Sequence, residues 1–185
     1  MFTQAIKKLL LSGGVGVLPT DTVYGLVARA ADRVAVERLY KLKVREHKPG
    51  TLIAASIDQL VELGIKRRYL TAVDQYWPGA ISVVIPCDDT LDYLHQGKRS
   101  LAVRLPDHAA LQQLLAVTGP LLTSSANDPG QPTAVTVAEA RAYFGAGVDF
   151  YEAGGDLSNH QPSTVIRIVD DAVEVLRAGA VKLEI

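Results

Sequence analysis

Cysteine is nearly absent. Cys87 is the single cysteine in 185 residues, which excludes an internal disulfide and any multi-cysteine metal site and fits a reducing, cytoplasmic compartment. Charge bias is absent too: 19 lysines and arginines stand against 20 aspartates and glutamates, a formal net charge of −1, so a polyanionic partner must be met by a local patch. No run of about 18 apolar residues occurs, so no membrane contact through a spanning helix is expected. Leu9-Leu10-Leu11 behind Lys7 and Lys8 is too short for a signal-peptide core and stops at Ser12-Gly13-Gly14. Neither Gly-x-x-x-x-Gly-Lys-Ser/Thr nor Gly-x-Gly-x-x-Gly is present, so a nucleotide site would need another design. His47, His95, His108 and His160 are scattered without a His-x-x-x-His pair, which points to surface or capping roles and to no protein-built metal site. Gly-x-Ser-x-Gly is missing around Ser124 and Ser125, which speaks against a hydrolase triad with His108. Cys87 is followed by Asp88 and Asp89, which raise a thiol's pKa, so it reads as structural rather than nucleophilic.

What is present is core-forming sequence. Hydrophobic residues make up 48% of the chain, enough for one sizeable core, and a single domain over 1–185 is expected. Phe2, Ile6, Leu9 and Leu10 predict a helix over 2–12, capped by Thr3 and stopped by Gly13-Gly14. Val15, Val17 and Leu18 read as a buried strand, 24–30 as a second, and Asp32 caps a helix whose inner face is Val36, Leu39 and Tyr40. Residues 51–55 form a strand, Ser56-x-x-Gln59 and Thr136-x-x-Glu139 have capping-box form, and one helix is predicted over 67–76 before Trp77-Pro78-Gly79. Strands over Ile81, Val83 and Ile85 and over Leu101, Val103 and Leu105 flank a polar, irregular stretch at 88–100. Asp107 opens a helix carrying Leu111, Leu114 and Leu115, and Leu121-Leu122 follows. Residues 148–151 form a strand, and 163–169 with 172–176 form a terminal hairpin about Asp170-Asp171. The pattern predicts an α/β (α+β) domain with a twisted mixed sheet and flanking helices.

Polar clusters interrupt this apolar plan. Pro19-Thr20-Asp21-Thr22-Val23-Tyr24-Gly25-Leu26 puts hydroxyls, a carboxylate and a glycine at a strand exit, where they can hold a ligand or simply close a turn. Thr123-Ser124-Ser125-Ala126-Asn127 repeats that arrangement ahead of Asp128-Pro129-Gly130-Gln131-Pro132. Between 37 and 48, Arg38, Lys41, Lys43, Arg45 and Lys48 outnumber Glu37 and Glu46, an anion-site candidate whose competing reading is a solvated helix end. Arg104 alternates with Val103 and Leu105, so it should project from the core face, and Arg104→Ala is expected to lower activity far more than stability.

These clusters, in order, resemble the YrdC-like family of threonylcarbamoyl-AMP synthases. The resemblance rests on the Pro19 to Leu26 motif, Lys43-x-Arg45 with Lys48-Pro49, Trp77-Pro78-Gly79, Ala102-Val103-Arg104-Leu105-Pro106, Ser125-Ala126-Asn127, Pro162-Ser163-Thr164-Val165 and Leu176-Arg177-x-Gly179. It covers almost the whole chain and is to the short, single-domain type. It implies a basic concave cleft and the condensation of L-threonine, bicarbonate or CO2, and ATP into threonylcarbamoyl-AMP, with release of pyrophosphate. The product would pass to a downstream threonylcarbamoyl transferase complex that modifies tRNA, itself a candidate partner.

By the same resemblance Thr20, Arg104 and Ser163, with Thr123, hold threonine. ATP falls to Lys43, Arg45, Lys48, Ser100, Ser125, Asn127 and Arg177, with Lys43 and Arg45 as the catalytic pair. Carbamate formation needs enclosure and positioning rather than a protein nucleophile, and Lys43, Arg45, Lys48, Arg104 and Arg177 with Mg2+ brought by ATP would offset the crowded negative charge. One departure from the family pattern stands out: only Glu46-His47 separates Arg45 from Lys48, one residue fewer than usual. That removes about 3.5 Å of reach, which can move Lys48 and offers His47 as a substitute contact. Two alternatives stay open, a non-catalytic tRNA or double-stranded RNA-binding module built on the 37–48 cations, and a carbamoyl-adenylate-forming enzyme fed by carbamoyl phosphate. The lack of zinc-finger-like cysteines argues against the second.

Overall fold

The computed structural model describes residues 2–44 and 48–183. Helix α1 (Gln4–Leu11) begins where the Thr3 hydroxyl accepts from Ile6 N at 3.3 Å. Strands β1 (Gly16–Pro19) and β2 (Tyr24–Arg29) form a hairpin about residues 20–23, and the Asp32 carboxylate caps α2 (Arg33–Leu42) by accepting from Ala35 N at 3.0 Å. There follow β3 (Thr51–Ile53), α3 (Ile57–Leu63), α4 (Arg67–Thr71), β4 (Ile81–Pro86), α5 (Asp92–His95) and β5 (Ser100–Arg104). Helix α6 (Ala109–Thr118), β6 (Leu121–Ser125), α7 (Val137–Phe144) and β7 (Phe150–Tyr151) lead to the hairpin of β8 (Thr164–Val169) and β9 (Ala172–Arg177). Asp170 and Asp171, at φ 49° and 62°, supply the left-handed pair that a two-residue reversal needs.

The structure departs from the sequence reading in detail. The helix expected over 67–76 is two pieces, α4 and a 3-10 turn at Asp74–Tyr76, a bend that buries both Leu70 and Val73. The stretch at 88–100 is not irregular: a 3-10 turn (Asp89–Leu91) runs into α5, burying Leu91, Leu94 and His95 in elements too short to show a helical period. His95 is therefore a core residue, its Nδ1 accepting from Gly97 N and Arg99 N at 3.2 and 3.3 Å. The cap of α6 is His108, whose Nδ1 accepts from Leu111 N at 3.2 Å, and not Asp107. In both capping boxes the return arm reaches one residue further back, Gln59 Oε1 to Ala55 N (3.0 Å) and Glu139 Oε2 to Val135 N (2.9 Å).

Among the described residues the strands form one mixed sheet in the order β7-β1-β2-β6-β3-β5-β4-β8-β9, with β1/β7, β3/β5 and β4/β8 parallel. Side chains alternate between its faces. Val17, Leu26, Leu52, Val103, Leu122 and Ile166 pack on the side of α2, α5 and α7. Leu18, Val27, Ile53 and Leu121 pack under α1 and α6, through Ile6, Leu10, Leu111, Leu114 and Leu115. The second face sets the position of the site. Continuing along it by twos, Leu121 gives way to Thr123 and Ser125, Val27 to Gly25 and Ile53 to Thr51, so apolar residues end and small polar ones begin where helical cover ends.

Candidate functional site

On that open part of the face lies a cleft of about 210 Å3. Its walls bring together Thr20, Thr22, Thr51, Arg104, Thr123, Ser125, Ser163 and Arg177, drawn from positions as far apart as 20 and 177. Strand register explains the meeting: Thr123 pairs with Thr51, Thr51 with Ala102, and Gly25 with Ser125. A Cβ on Gly25 would lie 2.5 Å from Thr123 Oγ1, so the glycine makes room for that hydroxyl beside Thr20. The polar run 123–125 is thus the end of a strand and not, as its sequence suggested, a segment beyond one.

The turn at 20–23 is held from within. Thr20 Oγ1 donates to Val23 O at 2.7 Å, accepts from Thr22 N and Val23 N at 3.2 Å each, and lies 3.0 Å from Thr22 Oγ1. Turn and ligand wall are the same object here. Behind it Arg104, 3% exposed, sends Nη2 to within 2.9 Å of Asp21 Oδ1, itself on a side chain 5% exposed, and Nη1 to 3.4 Å from Thr22 Oγ1. Burial pushes the Asp21 carboxyl above the ordinary value, with Arg104 pulling it back. Burial likewise pushes the Arg104 guanidinium down, opposed by Asp21 and reinforced by Arg177. Arg104 does project toward the cleft face, as the strand alternation requires, but it is also half of a buried ion pair. The expectation that Arg104→Ala spares stability is accordingly corrected.

Ser163 precedes β8 and touches two neighbours. Its Oγ lies 2.9 Å from Ser82 Oγ and accepts from Arg177 Nη2 at 3.1 Å, while Arg177 Nη2 and Nε also donate to Ser163 O at 2.8 and 3.3 Å. Sequence reasoning passed over Ser82, although a serine inside Ile81-x-Val83 was the available signal. It also passed over Thr51.

A second, larger cleft of about 610 Å3 adjoins at Ser125 and is lined by Lys43, Val44, Lys48, Asn127, Pro129 and Gly130. Lys43 is buried, and its ammonium donates to Ser125 O and Asn127 Oδ1, both at 2.9 Å, and to Asn127 O. It clamps the loop after β6. Ser125 Oγ donates to Asn127 Oδ1 at 2.7 Å, and Asn127 Nδ2 donates to Asp128 O and Gln131 O at 3.0 and 2.8 Å. Lys48 is exposed at the rim, and Arg45, like His47, lies outside the described residues. Ser100 shares the cleft face but is not brought into either cleft: it begins β5, about 13 Å along the strand from Arg104, with its Oγ on Lys98 O at 3.4 Å. Arg38, counted in the basic patch, is committed elsewhere, to Asp149 and Gly147 O. The thiol of Cys87 is pushed up to about 12, mainly by burial and only slightly by Asp88, which fits a structural residue. Among the described residues no group of three His, Cys, Asp or Glu could hold a metal, and no helix is long and apolar enough to cross a membrane.

Comparison with known proteins bears on this cleft. A family model for Sua5, YciO and YrdC proteins, described as "Telomere recombination", matches residues 8–179. A threonylcarbamoyl-AMP synthase of Marinobacter nauticus is 33% identical over 169 residues, covering 88% of this chain and 89% of its own. The threonylcarbamoyl-AMP synthase of Bacillus subtilis is 31% identical over 182 residues, covering 95% of this chain and 53% of its own. Among solved structures, P. abyssi Sua5 complexed with L-threonine superposes with a TM-score of 0.83 at 28% identity, over 95% of this chain and 53% of that one. This chain thus spans about half of that protein. E. coli YciO gives 0.80 at 26% identity, over 95% and 87%.

Proposed function

Because the chain belongs to the Sua5/YciO/YrdC family, we propose that its two joined clefts make threonylcarbamoyl-AMP from L-threonine, bicarbonate or CO2, and ATP. The supporting observation is Arg104, a guanidinium held by Asp21 in the wall of the smaller cleft, where the other polar side chains are hydroxyls and Arg177. Two guanidinium groups among hydroxyls offer a ligand carboxylate charge-assisted hydrogen bonds. The smaller cleft suits an amino acid and the larger a nucleotide, with Ser125 where the two substrates meet. Threonine's amine, once deprotonated, adds to CO2 to give a carbamate; a carbamate oxygen then attacks the α-phosphorus of ATP and pyrophosphate leaves. Held between the clefts, the short-lived carbamate meets the phosphate before water does.

The described residues do not form a resident metal site. Mg2+ enters in this reading as part of the ATP substrate, carried by its phosphates, and no step is assigned to the protein through it. Bicarbonate as the carbon source, a downstream transferase complex and tRNA as the final acceptor are parts of the same reading, as is action in the cytoplasm. An RNA-binding module draws less support, since in the basic stretch Arg38 is paired with Asp149 and Lys43 is buried on the loop after β6. The deciding experiment is pyrophosphate release by purified protein given ATP, Mg2+, bicarbonate and L-threonine. Release that requires threonine is expected, and turnover with carbamoyl phosphate that ignores threonine would overturn the reading.

A further inference from the structure

Thr20 and Thr22 line the smaller cleft, but Asp21 between them does not. Its two carboxylate oxygens are out of reach of solvent, and neither has a hydrogen-bond donor among the described residues. What approaches is Arg104 Nη2, at 2.9 Å from Oδ1. Such a pair is poor as a source of stability, because two charges are desolvated without the hydrogen bonds that would compensate. The turn nevertheless imposes it: with Thr20 Oγ1 closing on Thr22 N, Val23 N and Val23 O, residue 21 is turned away from the smaller cleft, toward Arg104 and a neighbouring cleft of about 460 Å3 that it lines with Asp107 and His108. Arg104 is then fixed on one side by Asp21 and Thr22 while its side chain still lines the cleft.

We propose that Asp21 is a positioning residue for the amino-acid substrate: it sets the Arg104 guanidinium in the cleft wall in the orientation that receives the substrate's carboxylate, and never touches the substrate. The proposal rests on the threonine reading above. A role for Asp21 as the base that deprotonates threonine is excluded by access, since its oxygens do not open onto the cleft. A positioning role asks residue 21 for an oxygen facing the guanidinium, at 2.9 Å here, and not for proton exchange.

The test uses the full chain, with pyrophosphate release measured against threonine and against ATP, and threonine affinity measured by calorimetry. Asp21→Ala should raise the threonine KM and Kd at least tenfold while leaving kcat and the ATP KM within threefold. Asp21→Asn, which keeps an oxygen beside Arg104, should recover the threonine KM to within threefold of the wild type. An unchanged threonine KM and Kd in Asp21→Ala, or an equal rise in both substrates' KM, would overturn the proposal. If Asp21→Ala does not fold, Asp21→Asn decides alone: a threonine KM and kcat near wild type uphold positioning, and a kcat loss beyond tenfold at unchanged KM overturns it in favour of proton transfer. Wild-type protein that binds threonine without turning it over would sink the synthase reading only, because the calorimetric comparison still reads Asp21.

Discussion

The Arg104 guanidinium stands 2.9 Å from the Asp21 carboxylate with both side chains nearly buried, so removing it strands an anion inside the protein. Arg104→Ala is expected to abolish most threonine-dependent turnover and also to lower stability by on the order of 3 kcal/mol, the usual cost of breaking a buried pair from one side. Adding Asp21→Asn should restore part of that stability, since a neutral amide tolerates burial better than a lone carboxylate, and should restore no activity. Urea unfolding of the single and double variants checks both statements, and additive losses would show that the two side chains do not interact. The sequence placed Arg104 on the right face by alternation alone. What alternation could not convey is that a residue beside it in space, eighty-three positions earlier in the chain, carries the opposite charge.

At the scale of elements, the segment after β9 passes so close to residue 163 that side chains are shut out. A Cβ on Gly179 would lie 2.2 Å from Pro162 O and 2.7 Å from the Ser163 carbonyl carbon. Gly179→Ala must therefore push the end of β9 away from the start of β8, and with it Arg177 away from Ser163. A threonine KM raised at least tenfold, together with a lower melting temperature, is the expected result; a KM unchanged in folded protein would count against the contact.

On the far side of the sheet the Asp149 carboxylate accepts from Val15 N at 2.7 Å and from Arg38 at 2.6 and 3.1 Å, tying α2 to the start of β1. The hydrogen bond from Arg38, ahead of that from Val15, holds its carboxyl below the ordinary 3.8. A carboxylate with a depressed folded value stabilises the fold above the unfolded value and loses that contribution as pH falls through the folded one. Asp149→Asn should thus cost about 1 kcal/mol at pH 7, solvent screening being substantial at this partly exposed pair. The difference should shrink as pH drops below 3.8, which denaturation at stepped pH will measure. Most elements were legible because capping residues and glycine stops are local signals, as at Thr3, Ser56 and Gly64. Helix α5 was not, because four residues cannot display a period and its burial comes from packing beside α2.

At the scale of the whole molecule, no local stretch contains the site. Thr20, Thr51, Arg104, Thr123, Ser163 and Arg177 meet because β2, β6, β3, β5, β4, β8 and β9 lie side by side, an order that a sequence without a structure does not disclose. The ordered motifs pointed to one site without showing that it has two lobes. Those lobes, of about 210 and 610 Å3, share Ser125, so a molecule filling both gains the contacts of each while losing translational freedom once. A threonyl–adenosine conjugate in which a stable linker replaces the carbamoyl phosphate is therefore expected to bind roughly 100-fold tighter than threonine or AMP alone. Ser125→Ala, which removes the hydroxyl at the junction and its bond to Asn127 Oδ1, should weaken the conjugate more than it weakens threonine. Calorimetry with the three ligands on wild type and variant decides the matter: a conjugate no tighter than AMP would mean that the lobes are not occupied together.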